Sequence, residues 1–339
     1  MSDLTLKQAL ELPRPLFVDV RSPAEFAEDR IPGAFNLPVL DDGERAETGT
    51  VYKQADPEEA RSLGLRLITP KLPALMQELR RLSAEGDPVI YCWRGGLRSK
   101  SVQAVAELMN IPCHRLLGGY KEFRREVNAF FQQPCPFPVA VLHGLTGVGK
   151  TRILAELALI PGAQTLDLEG LAGNRGSVFG GVGLPAQPAQ KSFESALWQA
   201  MRRFDRQKPL VVECESKRIG RLLLPPALHQ AMQNGRHILV YDGMAGRVAR
   251  VLEDYRPEER KEEILAALNR LREKLGNNVV EMLIKEIKAG NFNYVVEVLL
   301  TEYYDPLYKY PSRASQDFDF CLKHDGTRQV AREIFEYLS

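Results

Sequence analysis

The sequence predicts two α/β domains, each built on a parallel sheet, with a helical extension on the second. Three observations lead there. Strand-like apolar runs alternate with helical patterns in both halves of the 339-residue chain. Three prolines within residues 132–138 break any continuous helix or central strand between the halves. From about Pro257 onward the pattern turns helical and strongly charged. In the first half, residues 16–20 and 88–92 read as strands, and 73–84 and 99–110 as helices. In the second, 139–143, 210–213 and 237–242 read as strands, with a helix beginning at Lys150. The expected division is 1–131, a linker at 132–138, and 139–339.

Composition narrows the class. Hydrophobic residues at 44% and charged residues at 26% are ordinary globular values, which exclude a disordered or fibrous chain. No run approaches the ~18 apolar residues of a membrane span, and residues 1–15 carry acids without the apolar core of a secretory signal. The expected compartment is therefore the cytoplasm. Five cysteines, an odd number, show no C-x-x-C pair and no Cys/His cluster of zinc spacing, so free thiols are expected and no residue is assigned to a metal. Cys113, Cys135 and Cys321 have no distinguishing context, and Cys214, alternating with Glu213 and Glu215, reads as a packed strand residue. With 45 basic against 44 acidic residues, a nucleic-acid ligand would need a local basic patch rather than the field of the whole protein.

Cys92 does have a context. An apolar strand delivers it to a short loop holding Arg94, Gly95, Gly96 and Arg98, after which a helix begins. The glycines let successive backbone N–H groups turn inward. The helix N-terminus and the two guanidinium groups favour an anion and a lowered thiol pKa. This is the setting of a nucleophilic thiolate that accepts a transferable chalcogen atom. The loop, together with residues 17–26, 31–38 and 116–123, resembles the rhodanese (sulfurtransferase) family over most of residues 1–131. The resemblance implies a persulfide or perselenide on Cys92, and Asp19, Arg21 and Glu25 read as the fold's structural polar cluster. The polar stretch 41–65 reads either as a solvated loop or as a contact with a large substrate.

The second motif is Gly144, Thr146, Gly147, Val148, Gly149, Lys150 and Thr151, in the pattern G-x-x-x-x-G-K-[ST] between a strand and a helix. Its glycines expose N–H groups, Lys150 meets phosphate oxygens, and Thr151 can take phosphate or a bridging Mg²⁺. The motif implies a P-loop NTPase-like domain and a diphosphate, without disclosing what the phosphates are attached to. An acidic partner is expected at a neighbouring strand end, and Glu213, Glu215, Asp167 and Glu169 compete for that place. The glycine-rich stretch around Arg175 is able to close over a ligand.

Taken together, the fused domains and residues 91–99, 167–177, 213–220 and 303–308 resemble the bacterial tRNA 2-selenouridine synthase family over essentially the full length. Asn174 stands where that family allows a histidine. The resemblance implies a two-step conversion of wobble 2-thiouridine in tRNAs of the Lys, Glu and Gln type. The sulfur is geranylated from geranyl diphosphate, and selenium from selenophosphate then replaces the S-geranyl group through an S-selanylcysteine at Cys92. It implies no tightly bound cofactor, no membrane, and a contact with the enzyme supplying selenophosphate. Candidate tRNA contacts are Arg175, Lys217, Arg218 and Arg221, then Arg247, Arg250 and Arg256. Arg270, Arg272 and Lys274 read equally as a solvated helix face, and Tyr303, Tyr304 and Tyr308 as base-stacking or as packing residues. Two rival readings remain: an ATP-dependent thiolation enzyme using a Cys92 persulfide, and a non-catalytic nucleotide-sensing fusion.

Overall fold

Two separate parallel sheets account for the alternation of strands and helices. A computed structural model describes residues 2–54 and 56–339. The chain clusters into two units that part at Phe130/Phe131, with Glu194–Gln199 grouped with the first.

In the first unit, β1 (Asp3–Leu4), β2 (Pro15–Asp19), β3 (Phe35–Asn36), β4 (Asp87–Tyr91) and β5 (His114–Leu116) lie in the order β1-β5-β4-β2-β3, every pair parallel. The middle strands are buried on both faces, which is why they read as continuous apolar runs. The helix Leu72–Glu85 lays Leu75, Met76, Leu79 and Leu82 on this core at helical spacing. The stretch between β3 and that helix is not a loop. It folds as the helices Asp42–Gln54 and Pro57–Ile68. Asp41 and Glu44 exchange side-chain-to-backbone hydrogen bonds of 2.8 Å, and Asp56 caps the second helix ahead of Pro57. The first of these helices buries no residue, so no apolar stripe announces it in the sequence.

In the second unit, β6 (Val139–His143), β7 (Gln164–Leu166), β8 (Leu210–Glu213), β11 (Arg236–Tyr241) and β12 (Phe320–Lys323) lie in the order β12-β11-β6-β8-β7, again all parallel. A two-stranded antiparallel hairpin, β9 (Arg218–Ile219) and β10 (Leu222–Leu223), stands apart from it. β6 is central and wholly buried, so the loop after it opens at the middle of the sheet's C-terminal edge. The helical region is an insertion rather than a tail, because the chain returns to the sheet at β12 and ends on the helix Thr327–Leu338. Charge on its outer faces hid an apolar interior of its own, in which Leu268, Leu271, Val280, Leu283 and Ile287 are fully buried. Among the described residues, no helix is long and apolar enough to cross a membrane.

Candidate active sites

β4 ends at Tyr91 and places Cys92, 3% exposed, at the start of the first loop. The backbone shapes this loop. Gly95 has φ +63°, and an added Cβ would lie 2.8 Å from the Leu116 carbonyl. Gly119 approaches so closely that a Cβ would sit 2.2 Å from the Cys92 carbonyl. The N–H groups of Tyr120 and Lys121 donate to the carbonyls of Cys92 and Trp93, each at 2.9 Å, and the Arg115 guanidinium donates to the Gly95 carbonyl. The Cys92 Sγ lies 3.2 Å from Ser99 Oγ in the first turn of the helix Leu97–Leu108.

The two arginines of this loop have different surroundings. Arg94 is exposed, whereas Arg98 is tied to Glu25 at 2.6 Å. Burial alone would raise the Glu25 pKa, but the Arg98 hydrogen bond and charge bring it below the usual carboxylate value. Arg98 thus carries a counter-charge of its own. Arg21 and Asp19 form a buried pair at 2.6 Å, and the Arg21 guanidinium sits 4.0 Å from the Tyr120 ring centroid, as expected of structural residues. The helices Asp42–Gln54 and Pro57–Ile68 wall a cavity of about 720 Å³ that also touches Leu97, Arg98 and Ser101.

The second loop follows β6. Gly144, Gly147 and Gly149 have φ of +153°, +81° and +94°. A Cβ at Gly144 would meet the Val240 carbonyl at 2.4 Å, and one at Gly147 the Arg247 carbonyl at 2.7 Å. The helix Lys150–Ala158 starts directly from Gly149, Lys150 Nζ donates to the Gly144 carbonyl at 3.2 Å, and Thr151 donates to Glu169 at 3.3 Å. Side chains hold this loop from the helix Met244–Tyr255. Arg247 Nε donates to the Thr146 carbonyl and Arg250 Nε to the Gly147 carbonyl, both at 2.8 Å. Arg247 is 3% exposed and pairs with Asp305 at 2.5 Å, and Arg250 pairs with Asp242. This corrects the expectation that Arg247 and Arg250 face a nucleic acid. Both are turned inward to brace the phosphate loop.

Gly147, Gly149, Lys150 and Thr151 line a cavity of about 310 Å³ with Asp167, Glu169, Arg175 and Glu215. The acidic candidates divide by role. Asp167 caps the helix Leu168–Ala172 through the Gly170 N–H at 2.6 Å. Glu213 is fully buried; its Oε1 accepts the Glu169 N–H at 2.7 Å while its Oε2 has no hydrogen-bond partner. Burial drives the Glu213 pKa well above the usual carboxylate value. Burial, followed by the neighbouring Glu169, raises Glu215 to about 8. Asn174 accepts the Gly176 N–H at 2.9 Å in a local turn, and the Arg175 guanidinium stacks 5.0 Å from the Tyr255 ring centroid.

Of the basic candidates, Lys217 and Arg218 are exposed on or beside the hairpin, and Arg221 is held against Gln187. Arg256 is exposed, Arg272 pairs with Glu281 at 2.5 Å, and Lys274 sits over Tyr303. Tyr303 and Tyr304 are buried packing residues, while Tyr308 lines the phosphate cavity. The sequence reading missed Tyr255 and Tyr310, which line the same cavity. The Tyr310 hydroxyl lies 3.0 Å from Cys214 Sγ and 3.2 Å from His143 Nδ1. Nothing near these residues in sequence marks them, because they come from a helix end and from a segment beyond the helical insertion.

Fold and loops define a protein that carries a rhodanese-type thiol loop and a phosphate-binding loop on separate parallel sheets. Residues 3–126 match the rhodanese-like domain family, and residues 137–337 match the tRNA 2-selenouridine synthase AAA domain. The tRNA 2-selenouridine synthase of Chromohalobacter salexigens is 35% identical, covering 92% of this chain and 93% of its own. That of Hydrogenovibrio crunogenus is 34% identical with the same coverage. The chain belongs to the tRNA 2-selenouridine synthase family.

Proposed function

We propose that this enzyme converts wobble 2-thiouridine to 2-selenouridine in two steps, one at each loop. At the phosphate loop, the thiocarbonyl sulfur of the tRNA bonds to C1 of geranyl diphosphate as the C1–O bond breaks and diphosphate leaves. The loop N–H groups and Lys150 stabilise the charge that grows on that leaving group. In the second step, the outer selenium of a Cys92 perselenide bonds to C2 as the C2–S bond breaks and geranyl thiol departs, and two equivalents of a thiol reductant then cleave the S–Se bond, leaving selenium on C2 and Cys92 as a free thiol. A thiocarbonyl sulfur leaves poorly, whereas an S-alkylated centre loses a neutral thiol readily, so the first step prepares the second. Selenophosphate is the selenium source in this reading.

The observation that carries the proposal is the pairing of an intact Cys92 loop with an intact diphosphate loop in a chain of this family. Mg²⁺ fits the second site: Thr151 and Glu169 would hold it with the diphosphate oxygens, since Mg²⁺ is commonly bound by one or two carboxylates plus substrate phosphates. When bound, it would neutralise diphosphate charge. The tRNA, of the Lys, Glu and Gln type, would meet exposed basic side chains such as Lys217, Arg218 and Arg256.

The test is incubation of the full chain with 2-thiouridine tRNA, geranyl diphosphate and selenophosphate, each omitted in turn, followed by nucleoside mass spectrometry. Omitting selenophosphate should leave S-geranyl-2-thiouridine, and omitting geranyl diphosphate should leave 2-thiouridine. Selenation that needs ATP and proceeds without geranyl diphosphate would overturn the proposal.

A further inference from the structure

Thr146, Val251 and Tyr255 line two cavities at once. One is the polar cavity of the phosphate loop. The other enters the helical insertion, where its walls include Ile264, Ile287, Phe292, Val296, Leu299 and Leu300. We infer that this second cavity holds the hydrocarbon tail of the prenyl donor while the diphosphate sits on the loop. The inference rests on the reading that geranyl diphosphate is the donor, and adds where its tail lies.

Three features carry it. The first is adjacency, since the shared residues, Thr146 of the phosphate loop among them, set the apolar cavity directly against that loop. Val251 approaches that loop so closely that a Cβ at Gly147 would lie 2.9 Å from its Cγ2. The second is chemistry. The few polar atoms nearby are already engaged: the Thr146 carbonyl accepts from Arg247, and the Tyr255 and Tyr304 hydroxyls turn to Ser177. A nucleoside placed here would bury ring nitrogens and hydroxyls without partners, whereas a hydrocarbon needs none. The third is size. The cavity measures about 60 Å³, room for about five water-sized groups, which is one isoprene unit. The distal half of a ten-carbon chain fills it, and the proximal half spans the shared rim. On this inference a five-carbon donor anchored at the same loop leaves the cavity largely unfilled.

The experiment measures equilibrium binding of dimethylallyl diphosphate and geranyl diphosphate to the full chain and to Val296→Trp. It also maps photolabelling by a geranyl diphosphate analogue bearing a terminal diazirine. The wild type should favour the ten-carbon ligand by up to about 1,000-fold, the value expected for burying the five further methylene-sized groups. Val296→Trp should cut that preference to about threefold without changing dimethylallyl diphosphate affinity. The label should fall on peptides within 251–264 and 287–304. If the variant loses dimethylallyl diphosphate as well, it has misfolded and the labelling decides. A retained preference with label outside those peptides would overturn the tail site and leave the donor reading intact. A wild type indifferent to chain length would defeat the donor reading itself.

Discussion

Both loops leave the C-terminal end of a buried parallel strand, curl through glycines and run into a helix, yet they are held in different ways. The Cys92 loop is fixed mainly by backbone against backbone, with the Arg115 guanidinium on the Gly95 carbonyl as its one long side-chain tie named above: Gly119 lies under the Cys92 carbonyl and the Tyr120 and Lys121 N–H groups close it. The phosphate loop is fixed by long side chains, Arg247 and Arg250, which reach its carbonyls from another helix. The first arrangement depends on residues near the thiol. The second makes loop geometry answer to the helical insertion, because Arg247 is anchored there on Asp305. Under the proposed reaction, the site that carries one selenium atom on one sulfur is served by a local frame. Under the same proposal, the site that admits a diphosphate with an attached group is served by a frame tied to the walls that would hold that group.

The largest effects should come from removing the chemical group of each loop. Cys92→Ser should abolish selenation while S-geranyl-2-thiouridine accumulates in the tRNA, as read by nucleoside mass spectrometry; normal 2-selenouridine would show that the thiol is dispensable. Lys150→Ala should lower geranyl transfer by about 100-fold, the usual cost of losing one charge-stabilising donor. Unchanged transfer by that variant would mean that the loop serves a different ligand. The two variants break the comparison at different steps: Cys92→Ser should leave geranylation intact, and Lys150→Ala should still selenate tRNA supplied already geranylated.

Asp305→Ala sharpens the contrast in support. It leaves the Arg247 guanidinium, 3% exposed, without its carboxylate. The expected loss is about 3 kcal/mol of stability, at the low end for breaking a buried pair because Asp305 is itself partly exposed. Thermal unfolding should report it, and diphosphate affinity should fall with it because the Thr146 carbonyl loses a fixed partner. Selenium loading of Cys92 should be unaffected. A variant with wild-type melting and wild-type diphosphate affinity would show that the insertion does not brace the loop.

What the sequence disclosed follows the same division. Strand-to-loop-to-helix order, glycine placement and the residues Cys92, Lys150 and Thr151 were legible because these signals are contiguous. Arg247 and Arg250 were misread because a charge in a helix says nothing of its direction; only tertiary contact with Thr146 and Gly147 shows that both turn inward. The helices at Asp42–Gln54 and Pro57–Ile68 bury few residues, so their capping residues are the main mark they leave in the sequence. β12 escaped because four residues after a long helical stretch give too short an alternation to read. Ser99, Tyr255 and Tyr310 reach their sites through folding alone.

The smallest predicted effect concerns the charge balance of the phosphate cavity. Burial and Glu169 raise Glu215 to about 8, so it is mostly neutral at pH 7 and ionises as the pH rises past that value. A diphosphate brings further negative charge into the cavity that Glu215 lines, so it binds best while that carboxyl keeps its proton. Affinity should therefore be highest below pH 8 and decline above it. A one-unit rise in the Glu215 pKa on binding would correspond to a loss of about tenfold across the transition. Because the ligand titrates too, the comparison is with Glu215→Gln, which stays neutral and should show only the ligand's own pH dependence. Parallel profiles for the two proteins would remove Glu215 from the account, and a wild-type affinity that rises through pH 8 would reverse its sign.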